Sequence, residues 1–313
     1  MLFPAGFTID HKDLNIEEMS ELSLAWSLQR MQMEKGVFSG ALKGVHTPHI
    51  QIGYSQYSHG MLTQGDFPKN SIVFTLVHTD KRASFQNKIL ENDEFFISKY
   101  GDEIDLLVSS AATVYAISIE EKFFFTEYEK YFNTDLENLI KEKKIAIKWG
   151  GEESKTLLEK FIAFINYLEW HKNNIDYDII EESIMYSIFN ALEIEQKHKN
   201  RKKFDAAAIR ELLNSHILSN FEDINIEILS KDLSISQRHF FNSFKRQYGL
   251  SPKQYLQNLR LNKIRKILLI SNPEETNISD IAFEFGYTHM SYFSKIYKSM
   301  FGELPSQTLF RKK

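Results

Sequence analysis

Two stretches, ILSKDLSISQRHFFNSFKRQYGLSP (228–252) and DIAFEFGYTHMSYFSKIYKSMFGELP (280–305), lay out the same residue types in the same order. Phe240 pairs with Phe293, Phe244 with Tyr297, Lys245 with Lys298, Tyr248 with Phe301, Gly249 with Gly302 and Pro252 with Pro305, all at an offset of 53, and Ile235 pairs with Tyr287 at 52. Such a repeat is one structural unit used twice. Each copy reads as a short apolar helix, a turn of about three residues and a second helix that stops at aromatic-glycine, which is the helix-turn-helix pattern. In the first copy Ser236 caps the second helix, Phe240 and Phe244 anchor it from behind, and Gly249 ends it in a left-handed conformation. In the second copy Gly286 supplies the turn, Tyr287 plugs the core, Thr288 is the expected cap, and Phe293 and Tyr297 are the anchors.

Between the copies, PKQYLQNLRLNKIRKILLIS (252–271) predicts one helix opened by Pro252. Leu256, Leu259, Ile264, Ile267 and Leu268 form its apolar stripe, while Arg260, Lys263 and Arg265 are expected to face out. Such a helix spans roughly 28 Å at ~1.5 Å per residue. That length could hold two recognition helices about one DNA turn, roughly 34 Å, apart. Charge agrees with this. Residues 205–313 carry 15 Lys and Arg against 11 Asp and Glu (+4), which leaves 23 against 31 (−8) for residues 1–204. A basic end on an acidic chain is a modest pointer to nucleic acid.

The residues Ser236-Gln237-Arg238, Phe244-Lys245, Gly249-Leu250-Ser251-Pro252, Tyr255-Leu256, Arg260-Leu261, Leu268-Leu269, Ile281-Ala282, Phe285-Gly286-Tyr287, Ser291, Phe293-Ser294-Lys295 and Phe301-Gly302 keep the order and spacing of a known module. Residues of about 205–313 resemble the DNA-binding domain of the AraC/XylS family of bacterial transcription regulators. The resemblance implies two helix-turn-helix units, about 225–249 and 278–302, joined by a linker helix of about 252–270 and reading adjacent major grooves of double-stranded DNA. It implies base contacts by Arg238, Phe241 and Asn242 in the first unit and by Ser291, Tyr292 and Lys295 in the second. Arg or Lys pairs with guanine, Asn with adenine, and an aromatic touches a thymine methyl. Phe241 stands where a polar residue is often found, and partial burial is its alternative. Ser236, Gln237, His239, Lys245, Arg246, Thr288, His289 and Lys298 are the candidates for phosphate, which positions without specifying. RNA polymerase is the further partner the family implies, and activation is the implied direction of control.

The front of the chain reads differently. HIQIGYSQYS (49–58), SIVFTLVHT (71–79), EFFISK (94–99) and TVYAISIE (113–120) are short, β-branched and aromatic, and are separated by Gly, Asn, Asp or Pro turns, as in an antiparallel sandwich or barrel. EEMSELSLAWSLQRMQME (17–34) reads as a short helix and then a strand. After Glu120 the period becomes helical. EEKFFFTEYEKYF (120–132) is a helix, and EESKTLLEKFIAFINYLEW (152–170) and DIIEESIMYSIFNALEIEQ (178–196) carry apolar stripes that either pack on the sheet or form a dimer interface. KHKNRKK (197–203) reads as a basic linker. The fold class is therefore α+β multidomain: a β-rich sensing domain (1–120), a helical segment for dimerisation or packing on the sheet (121–200), and an all-α double helix-turn-helix domain (201–313).

Gly36, Phe38, Gly40, Tyr54-Ser55, Gly60, Gly65, Pro68 and Phe74, followed by DEFFISKYGDEIDLLVSS (93–110), make the front domain similar to the cupin-like domain of regulators of the ethanolamine-operon type. Tyr54, Tyr57, Phe74, Phe96 and Tyr100 are candidates to line an apolar pocket for a small-molecule effector, or else form the barrel core. His46, His49, His59 and His78 contain no His-x-His pair, so no metal and no cofactor is expected, and no catalytic constellation is found. Zero cysteines exclude disulfides, thiolate catalysis and cysteine zinc sites. No apolar run reaches the ~18–20 residues of a membrane span, and the first residues lack a signal-peptide pattern. The expectation is a cytoplasmic, homodimeric, non-enzymatic regulator. Its alternatives are a DNA-tethered cupin-type metalloenzyme and a ligand-independent regulator controlled by abundance or a protein partner.

Overall fold

The computed structural model describes residues 5–23, 25–90, 95–131, 177–195 and 248–311, together with 159, 161–163, 165–166, 241 and 244–245. Its front half is built from strands β1 (Thr8–Leu14), β2 (Ser27–Gln32), β3 (Gly40–His46), β4 (Ile50–Tyr57), β5 (Met61–Asp66), β6 (Ser71–Thr79), β7 (Ala83–Phe85), β8 (Lys88–Leu90), β9 (Phe95–Lys99), β10 (Glu103–Val108) and β11 (Ala112–Glu120). They make a six-stranded sheet in the order β1-β3-β4-β11-β6-β9 and a five-stranded sheet in the order β2-β5-β10-β7-β8. The strand pairings among the described residues are all antiparallel. Helix α1 (Ile16–Leu22), closed by a capping box between Asn15 and Glu18, sits between β1 and β2, so the 17–34 stretch is indeed helix then strand.

The six-stranded sheet is covered on both faces, and this decides the sequence of β6. Ile72, Phe74 and Leu76 turn to one face and Val73 and Val77 to the other, all at 2% exposure or less. A strand covered on both sides reads as a continuous apolar run instead of an alternating one. Its first face meets α2 (Glu121–Tyr131), Phe161, Ile165 and α3 (Tyr177–Glu195), through Phe124, Tyr128, Ile180, Ile184 and Ile188. Both apolar stripes therefore pack on the sheet where they are described. Leu157, Leu158, Leu168 and the basic run 197–203 lie outside the described residues. Glu181 staples α3 to the β3–β4 turn: it accepts from the His49 backbone N–H at 2.8 Å and faces His49 Nδ1 at 2.9 Å, and the Thr47 hydroxyl donates to it. His46 and His49 thus flank the β3–β4 turn. Among the described residues no group of three or more His, Cys, Asp or Glu is placed to hold a metal ion.

The second face looks at the five-stranded sheet across a core that includes Leu42, Tyr57, Phe85, Phe96, Leu106 and Val108. Tyr57, Phe96 and Tyr54 line a pocket within this space. Phe74 and Tyr100 do not. Phe74 is on the helix-covered face, 5.8 Å from Phe124, because strand alternation turns it there, and Tyr100 is 45% exposed next to the Gly101 turn.

The C-terminal part is helical: α4 (Pro252–Ile270), α5 (Ile278–Glu284), α6 (Met290–Phe301) and α7 (Pro305–Leu309). Helix α4 starts with a Ser251–Gln254 capping box and Pro252 in its first turn. No helix among the described residues is long and apolar enough to cross a membrane.

Candidate nucleic-acid interface

Helix α5 begins at Asn277, whose side chain accepts from the Ser279 N–H at 3.0 Å. It ends where Gly286 takes φ +80°, with the Gly286 and Tyr287 amides returning to Phe283 O and Ala282 O. Gly is the residue that reaches this conformation without steric cost. The reversal drives Tyr287 inward, 5.1 Å from Phe293. Phe293 and Tyr297 are fully buried, and Tyr297 stands 5.6 Å from Phe293 and 4.8 Å from Phe301. Burial pushes the Tyr287 phenol up to about 12 and raises that of Tyr297. Tyr297 donates to Thr308 Oγ1 at 2.8 Å, which ties α6 to α7. Burying one such aromatic contributes about 1.5–3 kcal/mol, so this aromatic column fixes the rotation of α6 about its axis.

That rotation leaves one face outward. Ser291, Tyr292, Lys295 and Lys298 are exposed, at the i, i+1, i+4, i+7 spacing of a helical face, and Thr288 and His289 are exposed at its head. Tyr292 is an unburied aromatic, 56% exposed. The expected cap is corrected: the N-cap position falls on His289 rather than Thr288, and no side chain closes it. The first N–H groups of this 12-residue helix therefore carry no side-chain acceptor, and its positive dipole end faces out. At the other end Gly302 has φ +76° and donates to Lys298 O at 2.8 Å.

The first unit is described only near its end. Phe244 and Tyr248 are buried and lie 4.6 Å apart, Phe244 is 5.4 Å from Tyr255 of α4, and Gly249 has φ +73°. Lys245 is exposed and Phe241 half-buried. Ser236, Gln237, Arg238, His239, Asn242 and Arg246 lie outside the described residues.

Residues 229–311 match a family model described as a helix-turn-helix domain. Over 87 residues the chain is 37% identical to the XylDLEGF operon transcriptional activator of Pseudomonas putida, covering 28% of this chain and 27% of that one. Residues 229–311 are thus similar to a helix-turn-helix domain found in transcriptional activators. The HTH-type transcriptional activator RhaS of Escherichia coli is 31% identical over 102 residues, 32% of this chain and 36% of its own. The matches thus span about a third, or less, of the curated relatives' length. Among solved structures, a probable AraC family transcriptional regulator from Rhodopseudomonas palustris is similar at 29% identity, with 33% of this chain and 95% of that chain covered and a TM-score of 0.30.

Sequence reasoning missed how the C-terminal helices meet the front half. Asn262 of α4 aligns with the outer edge of β2: its Oδ1 accepts from the Gln32 N–H at 3.0 Å, and its Nδ2 donates to Gln32 O at 2.9 Å. Strand β2 is an edge strand of the five-stranded sheet, so one amide side chain stands in for a missing neighbouring strand. One turn earlier, Asn258 Nδ2 donates to Met33 O at 2.7 Å. Gln32 Nε2 reaches Met300 O at 2.9 Å, and the Gly36 N–H donates to the same carbonyl at 3.2 Å. Arg265 does not face out as expected. It is 7% exposed, pairs with Glu17 of α1 at 3.2 Å and Glu303 at 3.4 Å, and lies 5.0 Å over Phe301.

Proposed function

We propose that the chain is a sequence-specific DNA-binding transcription regulator, more an activator than a repressor. It reads two adjacent major grooves with α6 and the corresponding helix of the first unit. The observation that carries the reading is α6 itself: an aromatic back that fixes its orientation, and an outward face bearing Ser291, Tyr292, Lys295 and Lys298. In this reading Ser291, Tyr292 and Lys295 approach base edges, as do Arg238, Phe241 and Asn242 of the first unit. Thr288 and His289 hold phosphates beside the uncapped helix end and Lys298 holds one near the other end of α6, while Ser236, Gln237, His239, Lys245 and Arg246 hold phosphates in the first unit. The names of the relatives, transcriptional activators, support the direction of control. The division at 120 and 200, a cupin-like front domain that senses a small molecule, pairing of two copies through the helical segment, contact with RNA polymerase, action in the cytoplasm and the lack of catalysis complete the proposal.

The test is selection of binding sites from random duplexes, followed by titration of Lys295→Ala on the selected site and on random DNA. A base contact predicts a loss of about 1–3 kcal/mol confined to the selected site. Equal losses on both make Lys295 a phosphate contact. Absence of any enriched sequence, or affinity indifferent to salt where phosphate neutralisation demands a steep decline, overturns the reading.

A further inference from the structure

We infer that the pocket between the two sheets is a binding site for a small organic acid, with its carboxylate held by Arg30 and Thr63. The inference deepens the effector part of the proposed function and rests on it for its biological meaning, though not for its chemistry.

The pocket has a volume of about 110 Å³, and its walls include Trp26, Leu28, Phe67, Phe85, Phe96 and Leu106. A cavity of ~150 Å³ with apolar walls accepts benzene, so the scale suits a body of about five carbons. Gly44 and Gly53 pair across β3 and β4 on its wall and place no side chain there. Against this apolar lining stand two polar groups. Arg30 on β2 and Thr63 on β5 are cross-strand partners, so both point to the same side of the sheet, and both line the pocket. Arg30 is 8% exposed and Thr63 4%. Arg30 Nε and Thr63 Oγ1 are buried and have no hydrogen-bond partner among the described residues.

A buried donor without an acceptor costs on the order of 1–3 kcal/mol, more when it belongs to a charged group. Two neighbouring ones on a single wall need a common cause. The rest of the guanidinium is held by neutral acceptors: Nη1 donates to Met19 O at 3.0 Å and Nη2 to Ser23 Oγ at 2.9 Å. These two contacts lock the side chain in place but leave its charge uncompensated. The charged residues that line the pocket are Arg30 and Lys43, and no Asp or Glu is among them. A neutral ligand would accept from Nε–H yet leave the cation unpaired. A carboxylate supplies the negative charge, an acceptor for Nε–H and a second oxygen for the Thr63 hydroxyl, with the charge-assisted bond to Nε the stronger of the two. Inorganic phosphate has the charge but not the apolar body that the remaining wall asks for.

The position also gives the site a route to the C-terminal helices. Residues two apart on a strand share a face. Arg30 and Gln32 are two apart on β2, and Gln32 is the residue gripped by Asn262 and Met300. A ligand held by Arg30 therefore sits on the same strand that holds the linker helix.

The experiment is calorimetric titration of the full chain with pentanoate and cyclopentanecarboxylate, and with pentanol and cyclopentylmethanol as uncharged counterparts. The expected result is saturable binding of the acids at least tenfold tighter than the alcohols. Thr63→Val keeps the shape and leaves Arg30 in place, and should weaken the acids about tenfold without moving the alcohols. Arg30→Gln should abolish the preference for acids where it folds, and Thr63→Val decides where it does not. Equal affinity of acid and alcohol, no acid binding, or an unchanged Thr63→Val overturns the site. Binding to the selected DNA is measured separately. If it survives while acids fail to bind, the inference falls and the DNA reading stands. If acids bind and no DNA sequence is selected, the reverse holds.

Discussion

Helix α4 has two sides, and they are joined to their neighbours by opposite means. Toward the second helix-turn-helix unit it presents Leu261, Ile264 and Leu268, which share a core with Tyr287, Phe293, Tyr297 and Met300. Toward the front domain it presents Asn258, Asn262 and Arg265, which bond to Met33, Gln32 and Glu17. The apolar joint has no substitute in water, so opening it costs the full transfer of its side chains. The amide joint is different. Water replaces each of its hydrogen bonds at a net cost of only ~0.5–1.5 kcal/mol. One helix thus carries a fixed joint on one face and an exchangeable joint on another. Under the proposed function, that asymmetry would let the helix-turn-helix unit stay intact while its hold on the front half changes.

The largest break in this comparison is Phe293→Ala. Phe293 is fully buried and central to the aromatic column. A Phe→Ala change at such a site costs about 3–5 kcal/mol. Hydrogen exchange should show loss of protection throughout α5 and α6 while β4, β6 and β11 keep theirs. A uniform loss across both parts would show that the two joints are not separable.

Asn262→Leu tests the exchangeable joint. It removes both bonds to the Gln32 backbone and leaves the Asn258–Met33 bond in place. The strand groups regain water only if the joint opens, so the expected loss is about 1–3 kcal/mol, seen as faster exchange of the Gln32 amide. The unfolding midpoint of α5 and α6 should stay within error of the parent, whereas a joint fall in both would make α4 a single cooperative block.

How much of this was legible before the structure depends on whether the residues state their partner. The second unit was legible because Gly286, Phe293, Tyr297 and Gly302 each have a local physical reason, and the 53-residue echo repeated it. β6 was legible as an apolar run, and α2 and α3 through their periodicity. β1, β3, β5 and β10 were not singled out. TIDHKDL, GALKGVH, MLTQGD and EIDLLV mix polar residues and glycine, and long-range pairing overrides such weak local preference. The amide joint was invisible for a different reason. Asn258, Asn262 and Arg265 look like the solvated face of an amphipathic helix until a strand edge is laid against them. Arg30 is hidden the same way, since an arginine between Gln29 and Met31 carries no sign of facing inward. Thr288 suits a cap by its type, but the N-cap of α6 falls one residue later, on His289, and the helix end stays open.

The smallest test is the finest, because it weighs one glycine against another on the same unit. Gly286 and Gly302 both hold positive φ, +80° and +76°. A Cβ at Gly286 meets nothing within 4 Å, whereas one at Gly302 comes within 2.2 Å of Val37 Cγ2 in the front domain. Gly286→Ala therefore bears the conformational cost alone, about 1–2 kcal/mol for a left-handed non-glycine residue. Gly302→Ala bears the same cost and also pushes on the loop that carries Gly36, whose N–H reaches Met300 O. The two variants should lose similar stability within α5 and α6, but only Gly302→Ala should speed exchange of the Gly36 amide. If Gly286→Ala speeds it equally, strain crosses from α5 to the front domain without using the contact at Val37, and the division of α4 into a fixed and an exchangeable side fails.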